Sequence, residues 1–207
     1  MSDVAERDPP LEDRAVDAAG LRERYDEPHR SYHDLRHIDT VLALVDELAA
    51  AEDLGDDQRA VLRLAAWFHD AVYDPTATDN EESSALLAET TLTEVGASLG
   101  VVVEVARLVR LTTAHEAAAD DLVGAVLCDA DLAVLASRPD RYDAYAAAVR
   151  QEYAFAPDEQ FRTGRAEVLQ RLLARDRLYA TEAARSRWER SARANLEHEL
   201  ATLVAGE

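Results

Sequence analysis

Residues 67–74 read W-F-H-D-A-V-Y-D, which places a histidine and an aspartate side by side in an otherwise apolar run. At helical spacing, His69 shares an inward face with Leu62 and Ala65, and Asp70 lies about 100° further round the helix. A buried carboxylate is costly unless it is paired or bound to a cation, and a buried imidazole needs a hydrogen-bond partner. One metal ion would satisfy both side chains, whereas an isolated pair of this kind more often only neutralises its neighbours.

The composition limits the classes of protein to which the chain can belong. Its 207 residues suit one domain with a substantial apolar core. The chain has 42 acidic and 22 basic residues, a net charge of −20 and no lysine, which excludes lysine-dependent catalysis and argues against a nucleic-acid partner. A single cysteine, Cys128, excludes a disulfide framework. No segment is apolar over the length of a membrane span, so we expect a cytoplasmic protein with no membrane partner.

Apolar residues recur at helical spacing along the whole chain, and Gly and Pro are few. The sequence therefore predicts an all-α domain that follows a disordered tail over residues 1–10. We expect about eight or nine helices, near 11–26, 37–54, 57–73, 79–96, 98–115, 121–136, 140–152, 158–174 and 182–204.

Two further segments carry metal-binding residue types inside predicted helices. Upstream, S-Y-H-D-L-R-H-I puts His33 and His37 four residues apart, with His37 on an apolar face. Downstream, V-L-C-D-A-D-L-A-V-L contains Asp129 and Asp131. Asp131 shares an apolar face with Leu127 and with residues 134 and 135, whereas Asp129 is predicted on a less apolar side. Asp131 is therefore the better candidate for an inward ligand.

The order H, then H-D, then D on successive helices resembles the HD-domain superfamily of metal-dependent phosphohydrolases. The resemblance covers roughly residues 25–200 through Y-H-D-L-R-H-I, W-F-H-D-A-V-Y, D-N-E-E-S-S-A, D-A-D-L-A-V-L, R-Q-E-Y and F-R-T-G-R-A-E-V-L. These motifs look like those of a bacterial family of predicted metal-dependent HD phosphohydrolases. The resemblance implies one HD-type helical bundle over 11–207, with a metal core at about 30–140 and C-terminal helices over 140–204 packing on it. It also implies that the metal ligands are His37, His69, Asp70 and Asp131.

Two imidazoles and two carboxylates suit Mn²⁺, Fe²⁺, Co²⁺, Zn²⁺ or, less well, Mg²⁺. Such an ion activates water and stabilises a phosphoryl oxygen, so we expect hydrolysis of a small phosphate ester, plausibly a nucleotide, with Asp70 orienting the water. Two-metal members of the superfamily look as though they use two more histidines before the last aspartate. Only His115 lies in that interval, so we expect one metal ion per chain. A second ion would need Glu81 or Asp129 to replace the missing histidine as a ligand.

Other side chains are candidates for contacts with the substrate or the ligands. His115 is a candidate acid for the leaving group, and Glu81 is a candidate to activate water or orient a ligand histidine. The guanidinium group suits phosphate recognition. The candidate substrate contacts are His33, Arg36, Arg150 and Arg165.

Two other functions fit the same residues. The main alternative is a non-catalytic regulatory module of the HD type that binds a nucleotide, with a structural ion or with none. A weaker alternative is a di-iron oxygenase of the same fold, which would carry two irons per chain. Under the leading hypothesis the partner is a small phosphorylated substrate, and a homodimer is compatible with the sequence.

Overall fold

A computed structural model describes residues 9–205, and in that range the chain contains ten α-helices, one 3₁₀ helix and no strand. The all-α prediction is confirmed. Residues 1–8 of the predicted tail and the last two residues of the predicted domain lie outside the described range. Within it, no helix is long and apolar enough to cross a membrane. The α-helices are α1 Leu11–Ala18, α2 Leu21–Arg24, α3 Leu35–Ala51, α4 Asp56–Phe68, α5 Asn80–Glu94, α6 Leu99–Leu111, α7 Leu122–Asp131, α8 Pro139–Glu152, α9 Asp158–Leu173 and α10 Glu182–Ala205.

Several helix boundaries differ from those predicted, and two of the differences have a clear backbone cause. The first predicted helix is divided into α1 and α2 at Gly20, whose left-handed conformation (φ 58°) interrupts helical hydrogen bonding. The helix α6 stops at Leu111, before the predicted end at His115, which itself has φ 50° and therefore cannot belong to a right-handed helix. The segment predicted as one helix over 121–136 tightens into the 3₁₀ helix Leu132–Ala136 after α7.

The centre of the molecule is formed by α3, α4, α6 and α7. Helix α3 packs against both α4 and α7, and α4 also packs against α6. The C-terminal helix α10 covers the 3₁₀ helix and α9. Each central helix presents an apolar stripe to the others, as the periodicity of the sequence predicts. Fully buried members of this core are Ile38, Val45, Leu62, Phe68, Leu108 and Leu127.

Asp129 anchors the segment that leads into α10, and the prediction that it lies on a less apolar side of its helix is wrong. Its residue exposure is only 1 %. Its carboxylate accepts the backbone N–H groups of Ala180 at 2.8 Å and of Thr181 at 2.7 Å. Burial raises the pKa of Asp129, although these donors oppose that shift. The pattern around residue 129 did not reveal this role because both partners lie more than 50 residues later in the chain.

Substitution of Asp129 by alanine should destabilise the fold. It leaves the backbone N–H groups of Ala180 and Thr181 without their acceptor, the second of them buried, so we expect the free energy of unfolding to fall by about 2 kcal/mol in urea denaturation at neutral pH. Asp143→Ala, at an exposed position on α8, is the matched control and should change stability by less than about 0.5 kcal/mol. Equal stability of both variants would show that the Asp129 carboxylate does not anchor α10.

Candidate metal centre

Side chains from three separate stretches of the chain meet at one end of α3. His37 lies in the first turn of α3, where the Asp34 side chain accepts the backbone N–H of His37 and fixes the start of the helix. His69 and Asp70 come directly after α4, so they lie in a turn and not within a helix to residue 73 as predicted. Asp131 is the last residue of α7. The packing of α3 on α4 and α7 therefore brings these residues together.

The closest group consists of His37, His69 and Asp70. The Nε2 atoms of the two histidines are 3.2 Å apart. The Oδ2 atom of Asp70 lies 3.1 Å from Nε2 of His69 and 3.6 Å from Nε2 of His37. One donor atom from each of the three residues lies within 4.8 Å of the other two. Three donors are thus gathered around one point, with both histidines buried.

Asp131 completes this arrangement from the side of α7. Its Oδ1 atom lies 3.2 Å from Nε2 of His37 and 3.6 Å from Nε2 of His69. Its second oxygen, Oδ2, is 2.6 Å from Nε2 of His115. The carboxylate therefore faces both imidazoles with one oxygen while His115 holds the other. We refer to His37, His69, Asp70 and Asp131 together as the His/Asp cluster.

The separations between these donor atoms fit a divalent cation. Ligands at about 2.1 Å from an ion are about 3.0 Å apart at the corners of an octahedron and about 3.4 Å apart at those of a tetrahedron. The five separations in the His/Asp cluster run from 3.1 to 3.6 Å. The combination of imidazole nitrogen and carboxylate oxygen is also a usual donor set for transition metals. His37, His69 and Asp70 could therefore hold a metal ion.

The histidines of the cluster favour the ionised form of its two aspartates. Burial opposes ionisation of Asp131, but the charge of His69 and hydrogen bonds from His115 and His37 hold its pKa well below the ordinary value. The pKa of Asp70 is also lowered, because His69 outweighs the effect of burial. Nδ1 of His69 donates to the carbonyl oxygen of Ala66 at 2.8 Å, which directs Nε2 towards the cluster. The carboxylates are therefore available as anionic ligands.

Arg30 fixes the turn that carries the H-D pair, a role that the sequence did not reveal. Its guanidinium group is buried and donates to the carbonyl oxygens of Asp70 at 2.8 Å and Ala71 at 3.3 Å. It also donates to the carbonyl oxygen of His33 at 3.0 Å. These bonds tie the start of α3 to the end of α4, and they satisfy carbonyl groups that a longer α4 would use within the helix.

Glu152 is a second residue that sequence reasoning missed, although it lies in the motif R-Q-E-Y. Its side chain is fully buried. One oxygen accepts the backbone N–H groups of Ser31, Tyr32 and His33 at 2.7–3.0 Å. The other accepts from Nδ1 of His33 at 2.7 Å and from the hydroxyl of Tyr73 at 2.9 Å. Burial raises the pKa of Glu152, but His33 and these backbone donors outweigh it and lower the pKa to about 2. Glu152 thereby fixes the segment before α3.

A cavity of about 460 Å³ opens beside the His/Asp cluster. His37 and Asp131 line it on the side of the cluster. The rings of Tyr32 and Tyr145 form part of its wall, with centroids 4.6 Å apart, and Tyr32 also packs against His37. A ligand in this cavity would therefore lie next to any ion held by the cluster.

His33 and His115 both lie close to the cluster. The ring of His33 is 5.9 Å from that of His37, and burial, which lowers its pKa, is outweighed by Glu152, so the pKa of His33 is raised. His115 lies in a turn beyond the end of α6 and contacts Asp131. Arg175 donates to the carbonyl oxygen of His115, which holds that turn.

The predicted substrate arginines lie in different places. Arg36 lines the cavity, but it is exposed and paired with Asp34. Arg150 pairs with Asp158 and donates to the carbonyl oxygen of Tyr153, so it closes the C-terminal end of α8. The structure does not place Arg150 among the residues that line the cavity.

Arg165 and Glu81 are not among the residues that line the cavity. Arg165 is largely buried, pairs with Glu199 at 2.8 Å and donates weakly to the hydroxyl of Tyr145. Glu81 lies in the first turn of α5. Burial and the charge of Glu152 raise the pKa of Tyr153, and the charge of Glu81 adds to that shift. The roles of Arg165 and Glu81 at a substrate stay predictions.

Comparisons of the chain with protein families, curated proteins and solved structures give no match. The function is therefore argued from the geometry and chemistry of the site itself.

Replacement of Glu152 by glutamine should show a stability loss that depends on pH. The pKa of Glu152 is about 2 in the folded protein and 4.5 ordinarily. The ionised carboxylate therefore stabilises the fold fully at pH values above 4.5, and this stabilisation is lost as the pH falls towards 2. We expect the variant to lose about 3 kcal/mol at pH near 6, with the difference from the original protein shrinking below about pH 5.

Urea denaturation at a series of pH values measures this difference. Glu197→Gln, at an exposed position on α10, is the control and should show no loss at any pH. A difference for Glu152→Gln that is constant or grows as the pH falls would contradict the assignment.

Proposed function

We propose that the chain is a metal-dependent phosphohydrolase of the HD type that hydrolyses a small phosphate ester, with nucleotides as the favoured class. The observation that carries this proposal is the convergence of Asp70 and Asp131 on the same two imidazoles, with imidazole–imidazole and imidazole–carboxylate separations of 3.1–3.6 Å. The order of these residues along the chain is the order in which the resemblance to HD phosphohydrolases requires them. The adjoining cavity gives a substrate access to the same point.

The donor set favours Mn²⁺, Fe²⁺, Co²⁺ or Zn²⁺ over Mg²⁺, because imidazole nitrogen is a poorer ligand for Mg²⁺. His37, His69, Asp70 and Asp131 would hold the ion. Within residues 9–205 the structure contains one such group of potential ligands, which supports one ion per chain and disfavours a di-iron oxygenase. When bound, a divalent ion supplies a Lewis acid for a phosphoryl oxygen and lowers the pKa of coordinated water.

The residues around the cluster hold its ligands in place. His115 contacts Oδ2 of Asp131, so we assign it to positioning that carboxylate and not to protonating a leaving group. Arg30 holds the turn that carries His69 and Asp70. Glu152 orients His33, whose Nε2 atom stays available for a contact with substrate. These interactions fix the ligand geometry before any substrate binds.

Asp70→Asn should remove divalent-metal binding. Removing a residue that only hydrogen-bonds to a metal ligand typically weakens metal binding by about 10- to 100-fold, and removing an anionic ligand itself should weaken it at least as much. We therefore expect the affinity for Mn²⁺ to fall by at least about 100-fold. Asp74→Asn is the matched control, because Asp74 is exposed and its side chain accepts from Thr76. Titration calorimetry with Mn²⁺ measures both variants. The scheme fails if Asp70→Asn binds Mn²⁺ as well as the original protein does.

Purified protein should contain about one equivalent of a transition metal and should hydrolyse at least one phosphate monoester when supplied with Mn²⁺, Co²⁺, Ni²⁺ or Mg²⁺. Elemental analysis followed by release of inorganic phosphate from a panel of esters and nucleotides measures this. Chelation should abolish phosphate release. Metal binding and nucleotide binding without hydrolysis would instead support the non-catalytic regulatory module, and two irons per chain would support an oxygenase.

A further inference from the structure

Two polar groups that line the cavity beside the His/Asp cluster have no hydrogen-bond or ion-pair partner among the residues that the structure describes. The hydroxyl oxygen of Ser137 is buried and makes no hydrogen bond within residues 9–205. Its position is nevertheless fixed, because the Asn195 amide donates to the carbonyl oxygens of Ser137 at 2.9 Å and Leu135 at 2.8 Å. A buried hydroxyl without a partner costs free energy, so a ligand group that reached it would gain a full hydrogen bond.

Arg141 is the second such group. Arg36 and Arg187 also line the cavity, but each is paired, with Asp34 and Glu47 respectively. No ion-pair or hydrogen-bond partner of the Arg141 side chain occurs within residues 9–205. Arg141 is exposed, and in a chain with a net charge of −20 an arginine at a cavity wall offers an anion a guanidinium with which to pair.

Ser137 and Arg141 flank the N-terminal turn of α8. This helix begins at Pro139. The acidic residue of that first turn, Asp140, is exposed and paired with Arg138. A buried hydroxyl and a guanidinium thus lie four residues apart in the sequence, and both residues line the cavity.

The wall of the cavity also has a substantial apolar and aromatic part, alongside polar residues such as Asp34 and Thr40. A cavity of about 460 Å³ lies within the usual size range of small-molecule sites. Such a wall favours an organic group with apolar surface over a bare sugar or an inorganic ion. It includes Val41, Leu44, Val134, Ala144, Tyr145 and Trp188.

We propose that this cavity is the substrate site and that it selects small phosphorylated or otherwise anionic compounds with an apolar or aromatic organic part, with Ser137 and Arg141 recognising the anionic group. This inference rests on the proposed function for its catalytic meaning, because the cavity shares His37 and Asp131 with the His/Asp cluster. Ser137 and Arg141 are binding residues, and neither belongs to the cluster.

Two non-hydrolysable phosphonates test the site by titration calorimetry on the full-length protein with Mn²⁺. Phenylphosphonate and methylphosphonate carry the same anionic group and differ only in the organic part. We expect phenylphosphonate to bind at least about tenfold more tightly, from burial of its ring. Arg141→Gln should weaken both ligands by about tenfold or more, and Ser137→Ala should weaken both by about threefold or more.

Arg171→Gln is the matched control, since Arg171 is an exposed arginine on α9 that does not line the cavity. It should change affinity by less than about twofold. Equal affinity of the two phosphonates, or unchanged binding by Arg141→Gln in a protein with normal circular dichroism, would overturn the inference. Hydrolysis with no dependence on Arg141 would also overturn it and leave the proposed function standing. Binding that depends on Arg141, in a protein that hydrolyses no ester, would contradict the proposed function and support this site.

Discussion

The packing of α3, α4 and α7 brings charged and polar groups together in a largely buried cluster, which the surrounding helices have to stabilise. The Nε2 atoms of His37 and His69 lie 3.2 Å apart, and Asp70 and Asp131 each place one oxygen 3.1–3.6 Å from both of them. Such groups are costly to bury unless they neutralise one another or bind a cation. Arg30 and Glu152 hold the two chain segments that carry the histidines. The surrounding structure therefore keeps these side chains in one place, as the proposed metal centre would require.

The same elements connect the cluster to a cavity. Helix α3 supplies His37 to both, and the end of α7 supplies Asp131 to both. Ser137, just before α8, and Arg141, in its first turn, line the same cavity. Under the proposal, the phosphoryl group of a substrate would contact these residues and also the ion held by the cluster. Proximity of this kind is the main requirement for hydrolysis of a phosphate ester, because positioning and charge stabilisation supply most of the rate enhancement.

Sequence periodicity predicted the all-α fold and placed residues such as His37 on apolar faces, because local spacing reveals such faces. The choice of the four cluster residues came from the resemblance to HD phosphohydrolases. Periodicity could not predict the role of Glu152, whose partners lie about 120 residues earlier, or the buried role of Asp129. Local spacing also did not reveal that Arg150 pairs with Asp158 and donates to the carbonyl oxygen of Tyr153 at the C-terminal end of α8. Arg141 carries no local signal at all. Its lack of a partner is a property of the three-dimensional structure and not of the sequence.

The most direct test of the central claim is a crystal structure of the protein loaded with Mn²⁺, with anomalous diffraction used to locate the ion. The account predicts one anomalous peak per chain, about 2.0–2.3 Å from Nε2 of His37, Nε2 of His69 and one carboxylate oxygen each of Asp70 and Asp131. A peak elsewhere, or no peak in protein soaked at saturating Mn²⁺, would contradict it. Two peaks in the site would contradict the assignment of a single ion.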